Sequence, residues 1–398
     1  MKIKKILLVE PNFPIPTKSK NHSNFLPIGL LKLASYYRKE GNQIELIRGN
    51  KEASFYPDRV FVTSLFTYWA DYVKETVQYY KKLYPKSKIT VGGIYATLMP
   101  KHCKEYVGCD KVFIGQHKGA DKCKPAYDLV DVDYQIIHGM RGCTNKCPFC
   151  GIWKLEQKSF KNAEQIKKEI CSNHLIFYDN NILVNPYIEE ILEMLANTTY
   201  QGKALRCECQ SGFDGRILMK KPHLAEMLKK ARFENVRVAW DFPYSQRAID
   251  IVEGWIQLLE KAGYNRKDIY VFMIYNWDYD YIHMELKRRQ CYKWGVQIAD
   301  CRYRPLDQTF DRYNGRIKNQ TSEDYFIHPN WTDKKVKQFR RNVRKHNICI
   351  RHGILWRDYD QALEREYSRR KLTMINIVPP EEIKVTYPKL QSKLFTSS

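Results

Sequence analysis

Two rhythms alternate along this chain: short, nearly continuous apolar runs, and longer stretches in which apolar residues return every three or four positions. "KKILLVE" at 4–10 is the first short run, followed by a loop rich in Pro, Asn and Ser. "IGLLKLASYYRKEG" at 28–41 then carries the helical period and stops at Gly41, a residue suited to a C-terminal helix cap. "QIELIRG" and "RVFVTSL" predict two more strands, and "DYVKETVQYYKKLYP" an amphipathic helix closed by Pro85. "KITVGG" and "KVFIG" complete the series. Strand and helix in alternation over 1–125 predict a doubly wound, Rossmann-like α/β domain with a mostly parallel sheet. Ligands on such sheets sit outside the carboxyl ends of the strands.

A polar, turn-prone linker follows at 118–134, and the alternation then resumes. "YQIIHGM", "HLIFYDNN", "ALRCECQSG", "NVRVAWDF", "DIYVFMIYNW" and "GVQIADCRYR" predict strands. Between them run helical stretches such as "AEQIKKEIC", "PYIEEILEMLANT" and "RAIDIVEGWIQLLEKAGY". Strands that each lead into a helix predict a partial (β/α)6 barrel over 135–320, whose site lies at the carboxyl ends of its strands. Polar residues collect there: Asp179, Asn180 and Asn181 after the second strand, Glu208 and Gln210 at the third, then Asp241, Asn276 and Arg302 to Arg304. From 321 to 398 the pattern changes to a small basic helical extension. It comprises "DKKVKQFRRNVRKHN", a second charged helix "DYDQALEREYSRRKL", and an extended tail from 378.

Composition adds limits. Of 398 residues, 43% are hydrophobic and 13% aromatic, which excludes a disordered chain. No run of about eighteen apolar residues appears, so no transmembrane helix is expected. The apolar hexad of the N-terminus is interrupted by Glu10-Pro11, unlike a signal peptide, and a cytoplasmic protein is expected. The formal charge of +23 favours anionic substrates or nucleic acid as partners, while a generally lysine-rich surface accounts for it equally well. Lys337, Arg340, Arg341, Arg344 and Lys345 share the first basic helix.

The most specific chemistry lies in "RGCTNKCPFC" at 141–150, with Cys143, Cys147 and Cys150 in Cys-x3-Cys-x2-Cys spacing. A cysteine cluster in a cytosolic chain points to metal or redox chemistry sooner than to a disulfide framework, and the isolated cysteines elsewhere read as small core residues. Three thiolates are one short of a tetrahedral zinc site and one short of a four-thiolate iron–sulfur cube. A zinc site completed by His138 or His117 is one way to fill the fourth position. The other is a [4Fe–4S] cluster whose fourth iron keeps a place for an exogenous ligand. Phe149 before the last cysteine would cover the cluster edge, and Pro148 fixes the turn.

This loop resembles the signature of the radical S-adenosylmethionine (SAM) superfamily. The resemblance implies that SAM chelates the open iron, and that an electron from the cluster breaks its sulfonium to give methionine and a 5′-deoxyadenosyl radical. It also implies an oxygen-sensitive enzyme with an electron donor of the flavodoxin or ferredoxin type. After its second strand the family has a "GGE"-like stretch contacting the SAM amino group. Here "YDNN" stands in that place, making Asp179, Asn180 and Asn181 the corresponding contacts. Glu208, Gln210 and Asp241 correspond to ribose and carboxylate contacts. Helix capping and turn formation are the alternatives for each.

The N-terminal segments are similar to the cobalamin-binding-type domain that precedes many radical SAM barrels. Ser64, Thr67, Gly92 and Gly93 would then contact a corrinoid, but the Asp-x-His-x-x-Gly motif is absent: His22 lies in "KSKNHSNF", without the Asp or the Gly. Cobalamin-dependent methyl transfer and a cobalamin-free radical oxidoreductase, lyase or mutase both stay open. So does a nucleic-acid-binding protein with a structural zinc site. No second cysteine set supports a methylthiotransferase.

Overall fold

The structure is a computed structural model in which residues 3–15, 26–354 and 356 are described. His22, the second charged helix and the extended tail lie outside the described residues. No helix among the described residues is long and apolar enough to cross a membrane.

The first sheet has five parallel strands: β1 Lys5–Glu10, β2 Gln43–Arg48, β3 Arg59–Ser64, β4 Lys88–Gly93 and β5 Lys111–Val112, in the order β2-β1-β3-β4-β5. The centre of β1 is buried on both faces, as a central parallel strand must be when helices cover both sides. Leu7 and Val9 join Val73, Val77 and Tyr80 of the helix Ala70–Leu83, while Ile6 and Leu8 join Leu30 and Ala34 of the helix Ile28–Lys39. The mixed α/β, doubly wound character is therefore as the alternation predicts. The fifth strand is shorter than the apolar run 111–115 suggests.

The remaining strands form a second set. β6 Gln135–Ile137, β9 His174–Phe177, β12 Arg206–Cys209 and β13 Phe233–Glu234 make one parallel sheet. β14 Arg237–Ala239, β15 Tyr270–Tyr275 and β16 Gln297–Arg302 make another, and a parallel bridge from Phe213 to Val238 joins the two. Helices follow in turn at Ala163–Glu169, Ile188–Asn197, Gly215–Lys220 with His223–Lys230, Gln246–Lys261, Tyr281–Trp294 and Asp333–His352. A single core runs beneath them from Ile137 to Val343. Two small antiparallel ladders complete the strands: β7 Met140–Arg141 with β8 Ser159–Phe160, and β10 Thr199–Tyr200 with β11 Lys203–Ala204.

Two details depart from the sequence pattern. "YQIIHGM" is two strands, broken at His138–Gly139, because the backbone there turns to donate to Asp179 instead of continuing a ladder. The basic helix 333–352 packs on β16 and on Tyr281–Trp294. Asn347 donates to the Ile298 carbonyl and accepts from its amide, both at 2.8 Å. Its basic residues are accordingly divided: Lys337 is buried on Asp333, Arg340 reaches Asp300, and Arg341, Arg344 and Lys345 are exposed.

Candidate functional site

The cysteine loop is an excursion whose two ends are pinned by the β7–β8 ladder. Gly142 opens it in the left-handed region, at φ 68°, with the Gln157 backbone 3.1 Å from where a Cβ would stand. Glu156 closes it from inside. Its carboxylate accepts from Arg141 Nη1 at 2.7 Å, from the Gly142 amide at 3.0 Å and from Asn180 Nδ2 at 3.0 Å. Glu156 was not singled out in the sequence, yet it is the one acidic residue between Arg141 and Lys161.

All three loop thiols are partly exposed. Burial pushes the Cys147 thiol up to about 11, with Asp241, Cys150 and Cys143 adding to it, and raises Cys150 for the same leading reason, with Cys143 and Asp241 contributing. The three sulfurs thus share one electrostatic neighbourhood, with Arg216 the counter-charge that acts on Cys147. Among the described residues no three His, Cys, Asp or Glu side chains stand close enough together to hold a metal ion. His117 is otherwise engaged, capping the turn at Lys118–Asp121 and stacking on Phe113.

The polar residues at the next strand ends have distinct tasks. Asp179 is fully buried, and its two oxygens accept from the Gly139 and Met140 amides. Burial nonetheless pushes it up to about 7. Asn180 belongs to the Glu156 clamp. Asn181 donates to Asp214 at 3.2 Å, while its own buried Oδ1 has no hydrogen-bond partner. Asp214 caps Gly215–Lys220 and pairs with Arg216. Glu208 is buried against Arg237 at 2.6 Å and also accepts from Gln210.

Beyond these, one face of β15 and β16 is partly open. On β15 Phe272 and Ile274 are partly exposed while Val271, Met273 and Tyr275 are buried; their register partners Ala299 and Cys301 on β16 are open too. Asp241 is reached by water, yet desolvation pushes its carboxyl up to about 6. Asp241 adds to the upward shifts of Cys147, Cys150 and Cys301, so its carboxyl lies within electrostatic reach of the cysteine loop and of β16. The buried Lys287 donates to the Trp240 carbonyl at 3.1 Å. Phe149 meets Trp277 edge-on at 6.2 Å, and Trp277 packs on Tyr303 at 4.0 Å, so an aromatic wall flanks the last cysteine.

The first domain turns its strand ends toward the same region. The short helix Ile94–Leu98, which follows β4, packs on Ile152–Leu155, which follows Cys150, and Tyr68 stacks on the Arg304 guanidinium at 4.5 Å. Arg302 and Arg304 share Asp311. Gly93 has φ 107°, and a Cβ there would stand 2.2 Å from the Ser64 carbonyl oxygen. Ser64 Oγ donates to the Gly92 carbonyl and accepts from the Ala96 amide, and Thr67 is buried, so both hydroxyl residues shape the strand ends from within.

Sequence reasoning missed Glu156, Asp214, Arg216, Trp277 and Lys287. Only Glu156 carried a signal, as an isolated acid in a basic run. The others are brought to the site by chain reversals that no local pattern records.

No protein-family model matches the sequence, and no curated protein matches it. Among solved structures, a cobalamin-binding protein from Desulfitobacterium hafniense DCB-2 matches at 19% identity, over 33% of this chain and 60% of its own length, with a TM-score of 0.22.

Proposed function

We propose that the chain is a radical SAM enzyme, its second strand set a partial (β/α)6 barrel and its three-cysteine loop the holder of a [4Fe–4S] cluster. The observation that carries this reading is the placement of Cys143, Cys147 and Cys150. They occupy one pinned loop following the first strand of the second set, within electrostatic reach of the desolvated Asp241 carboxyl. The donor chemistry fits, since thiolates are the ligands such clusters take. A bound cluster supplies the electron that cleaves SAM to methionine and a 5′-deoxyadenosyl radical.

This chain's own residues hold and shield. Asn181 offers a buried acceptor without a partner, suited to the SAM ammonium group. Asp179 positions the loop through the Gly139 and Met140 amides, and Glu208 with Arg237 orients Gln210. Phe149 and Trp277 exclude water from one side. In a sheet of order β2-β1-β3-β4-β5 the crevice outside β1 and β3 is the usual ligand place; Ser64 ends β3, Thr67 follows it, and Gly92 and Gly93 end the neighbouring β4. A cobalamin there supports methyl transfer as the outcome; without it, a radical oxidoreductase, lyase or mutase remains.

Anaerobic reconstitution with iron and sulfide, then dithionite and SAM, tests the reading. The expected product is 5′-deoxyadenosine, joined by S-adenosylhomocysteine if methyl transfer follows. A colourless zinc protein giving neither product overturns it in favour of a structural zinc site in a nucleic-acid-binding protein. Copurification of a corrinoid, seen by its visible absorption, decides the cobalamin question.

A further inference from the structure

An unbroken series of charged contacts runs from the first domain to the cysteine loop. Lys32, on the helix Ile28–Lys39, donates to the Asp121 carbonyl at 2.9 Å and to its carboxylate at 2.8 Å. The same carboxylate oxygen accepts from Arg141 Nη2 at 3.1 Å. Arg141 Nη1 reaches Glu156, whose other oxygen holds the amide of Gly142, the neighbour of Cys143. Lys32, Arg141 and Glu156 are each less than one-fifth exposed, so solvent and salt screen these pairs far less than surface ones. Asp121 closes the short turn Lys118–Asp121, which lies flush on the same helix: a Cβ at Gly119 would stand 2.6 Å from the Tyr36 ring. Burial pushes the Asp121 carboxyl up, but Lys32 and Arg141 more than offset this and hold it below the usual carboxylate range. Arg38, farther along the helix, pairs with Asp128 at 2.7 Å, and among the described residues that pair leads no further.

We propose that Asp121 is a positioning residue for the thiol loop: it holds Arg141, Arg141 holds Glu156, and the loop is thereby set against the first domain. Its bearing on a cluster rests on the radical SAM reading above. With Asp121 in place, Arg141 lies between two carboxylates and Lys32 has a counter-charge. Without that charge, Lys32 and Arg141 are neighbouring cations that repel each other. Arg141 then gives way, and its grip on Glu156 loosens. Both ends of the excursion are affected together, because Arg141 stands two positions before Cys143 and Glu156 closes the loop from inside. Asp121 touches no thiol, so it acts only through the residues it holds.

The test uses the full-length protein in two states. In the metal-free state, iodoacetamide labelling of Cys143, Cys147 and Cys150 is followed by mass spectrometry, with the exposed Cys171 as internal reference. Asp121→Asn should speed labelling of the three by about threefold or more, a coupling of the size salt-bridge networks show, and leave Cys171 unchanged. Asp121→Glu should recover most of the protection. In a Glu156→Gln background, Asp121→Asn should add little, because the path is already cut. Asp128→Asn, which breaks the Arg38 pair, controls for general loosening of the helix and should have no effect. After anaerobic reconstitution with iron and sulfide, Asp121→Asn should release iron to a chelator about tenfold faster than the wild type. Unchanged labelling or iron release in Asp121→Asn, an equal rise in Asp128→Asn, or full additivity with Glu156→Gln overturns the role. Labelling that responds as expected in a protein that assembles no cluster keeps the role and sinks the radical reading instead.

Discussion

The Asp179 carboxylate accepts the Gly139 amide at 3.0 Å, tying the end of β9 to the break that separates β6 from the cysteine excursion. This bond and its partner to Met140 set where the loop departs from the sheet. Asp179→Ala strands two buried amides, at about 1–3 kcal/mol each, and urea denaturation should show an unfolding free energy lower by that amount.

Asp179 also makes stability depend on pH. Its folded value, raised to about 7, lies above the unfolded value near about 3.9. The protonated group therefore contributes stability that is fully present below about pH 4 and is lost as pH rises through about 7. The stability of the wild type relative to Asp179→Asn should fall across that window. A constant difference in unfolding free energy from pH 4 to 8 would contradict the assignment.

Lys287 gives the opposite slope. Burial lowers it to about 7, so the unfolded chain binds more protons than the folded one between about 7 and about 10.4. The wild type should gain stability relative to Lys287→Met as pH rises through that interval. Paired denaturation curves at pH 7 and 9.5 measure the gain.

Glu156 supports the thiol loop without being one of its sulfur ligands. Removing such a supporting partner typically weakens metal affinity by about 10-fold to 100-fold. Glu156→Ala should lose iron to a chelator that much faster in dose than the wild type, with the far-UV spectrum preserved. Cys147→Ala should take up no full cluster at all, and iron and sulfide analysis reads both.

Gly93→Ala places a methyl 2.2 Å from a backbone oxygen at φ 107°, where side chains are strained. A loss of at least about 2 kcal/mol is expected from the backbone conformation alone. Gly41→Ala, also at positive φ but with open space around it, should cost less. Guanidinium melts of the two variants compare the effects.

The first domain was readable because β1 is a continuous apolar run buried on both sides, β3 and β4 alternate, and its helices have plain amphipathic periods. β5 was overestimated: only Lys111 and Val112 pair with β4, although the apolar run continues to Ile114. The loop cysteines stand out by spacing alone, while the β7–β8 ladder that pins their loop has no such signal. Asp179 was picked out for its place at a strand end, but its amide partners lie some forty positions earlier and have no local signature. Lys287 reads as an ordinary helix lysine, since nothing nearby in sequence shows that it points beneath Asp241. Asp311, which joins Arg302 and Arg304, belongs to a connecting segment without periodicity.

The core running from Ile137 to Val343 includes Cys207, Cys209 and Cys291 but none of the three loop cysteines. The packed interior is therefore built without the loop thiols, and under the proposed reading a cluster would be added to a chain already folded. A mature and an immature population would then share one scaffold and differ in a single surface excursion. The two would then differ in what air attacks: the cluster in one, the partly exposed thiols in the other.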